Sequence, residues 1–491
     1  MKRLAGVLFG ALSITLGFVA LRFLITPLRI KIITTVLSPE DYGVVTLLSM
    51  TAHGLGLIVS VGGFELLLRR LPGLDAAGRR SIFHAVLVLS TVGGVAAGLL
   101  LAGLWSHVAW LDSLSSRLSA AAAVVLFLLF LHVQQRIHYL LGSRDHFRSR
   151  TLQLLWSDLW FLPVLAGMGF VAWSAETAVW TWSAWLALVL VCTWRWVPMG
   201  ALVSAGAAPV SLRATFWQSI PILPVLVGDW VFRLTGHYAL LIHWDAATMA
   251  FYALAMNVAL TGQVAGVPLI DLCCVDLSKA MSQTGANRGL SPDPAEMKIV
   301  SRGFRHILAV SAPVMLVLLF MPVDILDFLA GPAFREAAVL LPWAALLPLL
   351  LLFNLLLARM LMLLGRSFWV AFGSILGAAA ALVLCALAVP GHGARGALLS
   401  ITCAAALVDV LYAYEIRAWR WLDRPSLRWP GLLIGGFILV GVFAHVRLVP
   451  GGAFARLAVA GVLSLLVLWV TGCVRRQDFG AGHGSEPGKA G

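Results

Sequence analysis

Three cations stand in a segment otherwise built for hydrocarbon: Arg22, Arg29 and Lys31, within "LRFLITPLRIKIITTVLSPEDYG", residues 21–43. An isolated cation in hydrocarbon costs at least about 2.5 kcal/mol, so such a residue turns to a water-filled cavity or to a partner. On a helix, Arg29 follows Arg22 by seven residues and falls on nearly the same face, while Lys31 points to the opposite side. Guanidiniums on one face make a fork-shaped donor set suited to phosphate, which the point charge of an ammonium matches less well. Two readings follow. The cations, Lys31 included, line a cavity that receives an anionic headgroup; or Arg29 and Lys31 snorkel to the headgroups while a buried carbonyl or acid holds Arg22. Pro27, between the arginines, permits a bend.

The elements that must position these residues are membrane spans. Of 491 residues, 60% are hydrophobic and 12% charged, and the mean hydropathy of +0.94 is outside the range of a soluble domain. With roughly 20 apolar residues per crossing, the chain divides into about fourteen spans. They are expected at 4–36, 42–68, 82–104, 118–141, 151–172 and 178–197, then at 214–243, 248–270, 303–323, 335–363, 367–389 and 394–416. A last pair falls at 430–447 and 454–473. The first span, if one helix, is about 50 Å long against roughly 30 Å of hydrocarbon, so it tilts, bends or projects.

The net charge of +13 raises nucleic acid as a partner. Most of the 35 Lys and Arg residues, however, fall on alternate connectors, which is the positive-inside pattern and sets both termini in the cytoplasm. The basic excess is thus topological, and nucleic-acid binding is not expected. The start, "MKRLAGVLFGALSITLGFVA", is signal-like but runs on into a multispan protein, so it reads as an uncleaved anchor. The six cysteines suggest no disulfide framework. "DLCCVD", Asp271–Asp276, lacks a His pair and is not read as a metal site; no cofactor is expected.

Local chemistry is densest in "LSPEDYG". Ser38 or Asp41 can cap the next helix, Pro39 fixes its early turn, and Glu40 and Asp41 favour its start. A cation-bearing first span ending "ITTVLSPEDYGVVTLLSM", followed by "VGGFELLLRR", resembles the polysaccharide-transporter branch of the multidrug/oligosaccharidyl-lipid/polysaccharide flippase superfamily, which includes O-antigen flippases. "TMAFYALAMNVAL" (248–260) and "DILDFLAGPAFREAAVLL" (324–341) are similar to its eighth span and to the turn before its tenth. The sequence departs from the family where an Asp-Arg pair is common in the seventh span: here stand Gly236 and His237. Asp229 and Arg233, four apart and one turn earlier, either substitute for that pair or neutralise each other as a structural ion pair.

The resemblance implies an all-α polytopic membrane protein with about fourteen transmembrane helices, in two six-helix lobes around a central cavity, plus two extra C-terminal helices. The lobes are expected at 1–213 and 214–428, the extra pair at 429–473, and a disordered cytoplasmic tail at 474–491. Repeat-built transporters place their site between the halves. Candidate cavity cations are then Arg22, Arg29, Lys31 and Arg233. Cavity or coupling candidates are Asp158, Asp229, His53, His237 and Asn257. Asp158 is an acid in the fifth span, costly unless protonated or paired. A lone Asn or Gln in a bundle more commonly bonds between helices than to a ligand. His132, Gln135, Arg136 and His138 lack a paired acid in sequence and are not read as catalytic.

The resemblance further implies a non-enzymatic flippase of undecaprenyl-pyrophosphate-linked oligosaccharide, monomeric, in the bacterial inner membrane among lipids. A polysaccharide polymerase and a chain-length regulator are possible partners. Rival readings are a multidrug or small-cation extruder of the same superfamily, which suits an acid-dominated cavity, and a membrane-embedded polymerase or glycosyltransferase. The latter class uses a long extramembrane loop, and none longer than about a dozen residues is expected outside.

Overall fold

Apolar runs punctuated by capping residues fold as helices throughout the described residues. The computed structural model describes residues 2–61, 63–71, 74–105, 115–197, 216–217, 220–284 and 292–422. The expected pair at 430–447 and 454–473, the tail at 474–491, and the lobe boundaries near 213 and 428 lie outside them.

The first helix, α1 (Lys2–Val36), runs unbroken through Pro27. The string "LSPEDYG" then starts α2 (Pro39–Val59) as its residue types dictate. Asp41 N donates to Ser38 Oγ at 3.2 Å, and Glu40 and Asp41 lie in the first turn, by the positive end of the helix dipole. The first half continues with α3 (Gly63–Arg70), α4 (Ala76–Leu104), α5 (Ala120–Gly142), α6 (His146–Ser157), α7 (Phe161–Gly167) and α8 (Ala175–Cys192). The starts of α5 and α8 are tied together, because Ser119 donates to Glu176 from both its N–H and its hydroxyl, each at 2.6 Å.

The second half comprises α9 (Leu223–His243), α10 (Ala246–Leu260), α11 (Gln263–Thr284), α12 (Pro294–Phe320) and α13 (Pro322–Leu329). A 3-10 stretch at Pro332–Leu340 leads into α14 (Leu341–Ala344), α15 (Leu347–Leu363) and the 50-residue α16 (Ser367–Ile416). No straight helix of that length fits a bilayer. Gly393, at φ 52° and ψ −135°, turns it back on itself in a conformation that only glycine adopts without strain. The limbs 367–392 and 394–416 then pack antiparallel: Tyr412 donates its hydroxyl proton to Val370 O at 2.9 Å, and Arg366 pairs with Glu415 at 3.0 Å. These limbs are the two spans the sequence placed at 367–389 and 394–416.

Among the described residues seven helices are long and apolar enough to cross a membrane, or eight if the bent pair Pro332–Ala344 and Leu347–Leu363 is one span. The shortfall from twelve expected spans before residue 417 has three sources: the two limbs of α16 count as one helix, α1 is not among the seven, and other spans are broken, although α2 alone still qualifies. The span expected at 151–172 divides into α6 and α7, that at 42–68 into α2 and α3, and that at 248–270 into α10 and the start of α11.

The halves meet where α2 packs on α9 and α10, and where α1 packs on α11 and α13. At the end where α1 joins α2 the seam is closed by polar bridges: Asn257 Nδ2 donates to Tyr42 Oη at 3.1 Å, Thr51 and Tyr238 hydroxyls lie 2.8 Å apart, and Gly331 N donates to Thr34 Oγ1 at 2.9 Å. Close approach depends on Gly43, where a Cβ would stand 2.7 Å from Ala246 O. Overpacking of this kind typically costs about 1–3 kcal/mol. Gly43→Val is therefore expected to lower the melting temperature of the detergent-solubilised protein, whereas Gly17→Val, with nothing within 4 Å of the new Cβ, leaves it unchanged.

Candidate functional site

The site grows from a break in the fifth expected span. Pro163 has no N–H to give to the carbonyl of residue 159, and its ring crowds that carbonyl, which favours a break in this stretch. Accordingly α6 stops at Ser157, Asp158 caps it, and α7 begins at Phe161. The end of α6 leaves the Ser157 carbonyl free of an intrahelical partner, beside a fully buried Asp158 carboxylate. Negative charge from the helix end and from the side chain thus gather in one niche.

Facing this niche, α1 presents one stripe: Arg22, Thr26 and Arg29. Arg22 Nε lies 2.8 Å from Asp158 Oδ2, an ion pair without hydrogen-bond alignment. Arg29 Nη1 lies 3.2 Å from Asp158 Oδ1 and also donates to the Ser157 carbonyl. Thr26 Oγ1 stands 3.5 Å from Oδ1, and Ser157 Oγ donates to Oδ2 at 2.7 Å. A spacing of seven residues is about 10.5 Å along a helix, which long guanidinium arms close easily onto a carboxylate lying between them. Two cations share one anion, so the cluster keeps an uncompensated positive charge. Both arginines remain partly accessible, 31% for Arg22 and 23% for Arg29.

Arg29 also lines a cavity of about 450 Å³ bounded by α1, α2, α5, α6, α8 and, from the second half, α9. Arg233 and Asp229 enter it from α9 as an ion pair at 2.9 Å, each with about half its side chain open. Asp229 is the one carboxylate among the described lining residues. Its walls include the aromatic rings of Phe130, Trp156, Trp182 and Trp230. His53 lines it too, stacked on Trp156 at 5.6 Å, with Nδ1 accepting from Gln134 Nε2 at 2.7 Å. Asn257 belongs to an adjoining hollow of about 130 Å³ that reaches Arg29, Trp160 and Trp182.

Besides Asn257, four candidates do not line this cavity: Arg22 opens onto a separate hollow, Asp158 is fully enclosed in the cluster, and Lys31 and His237 stand elsewhere. Lys31 Nζ donates to Asp327 O at 3.0 Å and to Ala330 O, at the carbonyl end of α13, so it stabilises that helix terminus and is not among the lining residues of the 450 Å³ cavity. His237 is buried in the packing between α9 and α10, edge-on to Tyr252 at 4.8 Å. The polar set around His132 is likewise internal: Arg136 donates to Leu190 O at 2.6 Å and Thr193 Oγ1 at 3.0 Å, at the end of α8, while His132 bonds to Gln135. In "DLCCVD", Cys273 and Cys274 are buried and Asp271 pairs with Arg359.

Sequence reasoning overlooked the tryptophans and Arg150, treated as a connector charge. Trp182 and Trp230 fall well inside their helices, where interfacial tryptophans do not belong, and that position was the available signal; Trp156 stands at the end of α6, beside the break.

The fold is shared with solved structures to which the chain is only distantly similar in sequence. Over 95% of its length, and 99% of the other chain, this protein is similar to lipid II flippase MurJ in an inward closed conformation, with a TM-score of 0.71 and 10% identity. It is also similar to an inward-facing multidrug resistance MATE family transporter (TM-score 0.61, 14% identity, covering 83% of this chain and 98% of that one). A third likeness is to the MATE multidrug transporter DinF-BH in complex with R6G (0.57, 15%, 86% and 97%). No family model and no curated sequence matches the chain.

Removing one partner of a buried ion pair costs about 3–5 kcal/mol because the remaining charge loses its counterion. Asp158→Asn, which leaves Arg22 and Arg29 facing each other, is expected to lower thermal stability clearly, and adding Arg22→Gln to restore part of it. A thermal-shift double-mutant cycle reads the coupling; strictly additive effects would contradict the shared carboxylate.

Proposed function

We propose that this chain is a flippase that carries an undecaprenyl-pyrophosphate-linked oligosaccharide from the inner to the outer leaflet of a bacterial cytoplasmic membrane. The observation that carries the reading is that Arg29 and Arg233, one from each half, line a single cavity whose described carboxylate is already matched to an arginine. A further negative charge is what such a chamber lacks. Arg29 would hold the pyrophosphate in the cavity, with bidentate donors that suit its oxygens; Arg22, which lines a separate hollow, would reach it only by leaving Asp158. Arg233, released from Asp229, would meet it from the other half. The aromatic walls offer flat apolar faces for the C–H sides of sugar rings, and about 450 Å³ lies within the usual range for small-ligand pockets. The isoprenoid tail would stay in lipid.

Transport would proceed by rocking of one half against the other around this site. The basic connectors put both termini in the cytoplasm, so the end sealed by Tyr42–Asn257 faces outward and the substrate is received from inside. The chain would act as a monomer, alongside a polymerase and a chain-length regulator that take up the product. The lipid carrier and glycan come from the sequence resemblance; the flippase named among the similar structures adds support for a lipid-linked cargo.

The multidrug transporters among those structures make extrusion of an organic cation the second reading. It is less favoured, because Asp158 and Asp229 are both occupied by arginine. In a strain lacking the protein, a lipid-linked glycan is expected to accumulate and polymer export to stop; accumulation of a drug instead would select extrusion. Arg22→Ala and Arg29→Ala are each expected to abolish export with protein abundance intact, and normal export by both variants would defeat the assignment.

A further inference from the structure

The Arg22–Asp158–Arg29 cluster divides two compartments. Arg29 opens onto the central cavity; Arg22 opens onto a separate hollow of about 260 Å³, between α1, α6 and the junction of α10 with α11. A second guanidinium, that of Arg150 on α6, lines this hollow. Its Nη1 donates to Gln153 Oε1 at 2.9 Å, and the nearest acid, Asp271, is bound to Arg359. The Nε atoms of both Arg22 and Arg150 are buried without a hydrogen-bond partner. Such a buried donor leaves a cost that an incoming acceptor removes. Gln263 and Val264, in the first turn of α11, form the facing wall, where the Gln263 amide adds a polar side chain. The remaining surface is apolar: Phe18, Val19, Leu260, Val267 and Pro268.

We propose that this hollow is a second anion site, beside the central cavity, that receives the phosphate-bearing headgroup of a lipid before it reaches that cavity. The two guanidinium forks recognise the phosphate oxygens, and the apolar rim takes the first units of the chain attached to them. Arg22 belongs to both the site and the cluster. A phosphate that engages its Nε competes with Asp158, which keeps Arg29 as its counterion. The anion thus passes from Arg150 to Arg22 and then to Arg29 without an uncompensated charge at any stage.

This inference rests on the proposed transport of a phosphate-linked lipid, and the test separates the two. Inorganic pyrophosphate and farnesyl pyrophosphate are titrated by calorimetry into the full-length protein in detergent. Wild type is expected to take two equivalents, and Arg150→Gln one. Arg233→Gln is also expected to take one, and the double variant none. Farnesyl pyrophosphate is expected to bind the Arg150 site about tenfold or more tightly than inorganic pyrophosphate, measured in Arg233→Gln. Equal affinities would overturn the lipid assignment. A wild type with one equivalent lost only on Arg233→Gln, or two equivalents retained by Arg150→Gln, would overturn the second site and leave the transport reading standing. Absence of binding at either place would overturn both. Should Arg150→Gln melt early, Arg150→Lys keeps the charge near Asp271 and removes the fork, and unchanged affinity in that variant would count against the site.

Discussion

One buried carboxylate shared by two guanidiniums is the constraint on which this structure turns. Asp158 has no accessible surface, and in such surroundings an unpaired charge is prohibitively expensive. Its position at a helix break lets the Ser157 carbonyl join it, so α1 is tied to the end of α6 by charge as well as by packing. Because two cations meet one anion, the tie is incomplete by design of its stoichiometry. The surplus positive charge lies at the border of two hollows.

The seam between the halves has a different character. Near Tyr42 and Asn257 it is held by neutral hydrogen bonds and by the close approach that Gly43 permits. Interhelical hydrogen bonds in membrane proteins average about 0.6 kcal/mol, so a handful of them seals one end without locking it. The Asp229–Arg233 pair, in contrast, is exposed to the cavity on both partners, where water screens it and separation is cheap. The buried ionic tie thus sits within the first half, and the polar ties between the halves are neutral or exposed.

Several particulars were legible without coordinates. The shared face of Arg22 and Arg29 follows from helical spacing, and both do converge on one side of α1. "LSPEDYG" formed the cap its residue types prescribe, and the turn between two spans near residue 393 fell at a glycine that must bear a positive φ. Asp158 stood out as an acid inside a span, and Asp229 with Arg233 as neighbours on a helix. Hydropathy also named the class, a multi-pass all-helical protein. Less legible were broken spans: Pro163 signalled one, yet composition alone read 151–172 as a single crossing because apolar content does not register a missing hydrogen bond.

The sequence by itself determined what each helix is made of and which residues share its face, since helical periodicity and capping act over only a few neighbours. Tertiary structure alone decided what those faces meet. Lys31, nine residues from Arg22, went to the carbonyl end of α13 and not to the cavity; Arg150, a connector charge by position, went beside Arg22. Such pairings join residues more than a hundred positions apart, and electrostatic attraction depends on distance in space, which no local pattern encodes.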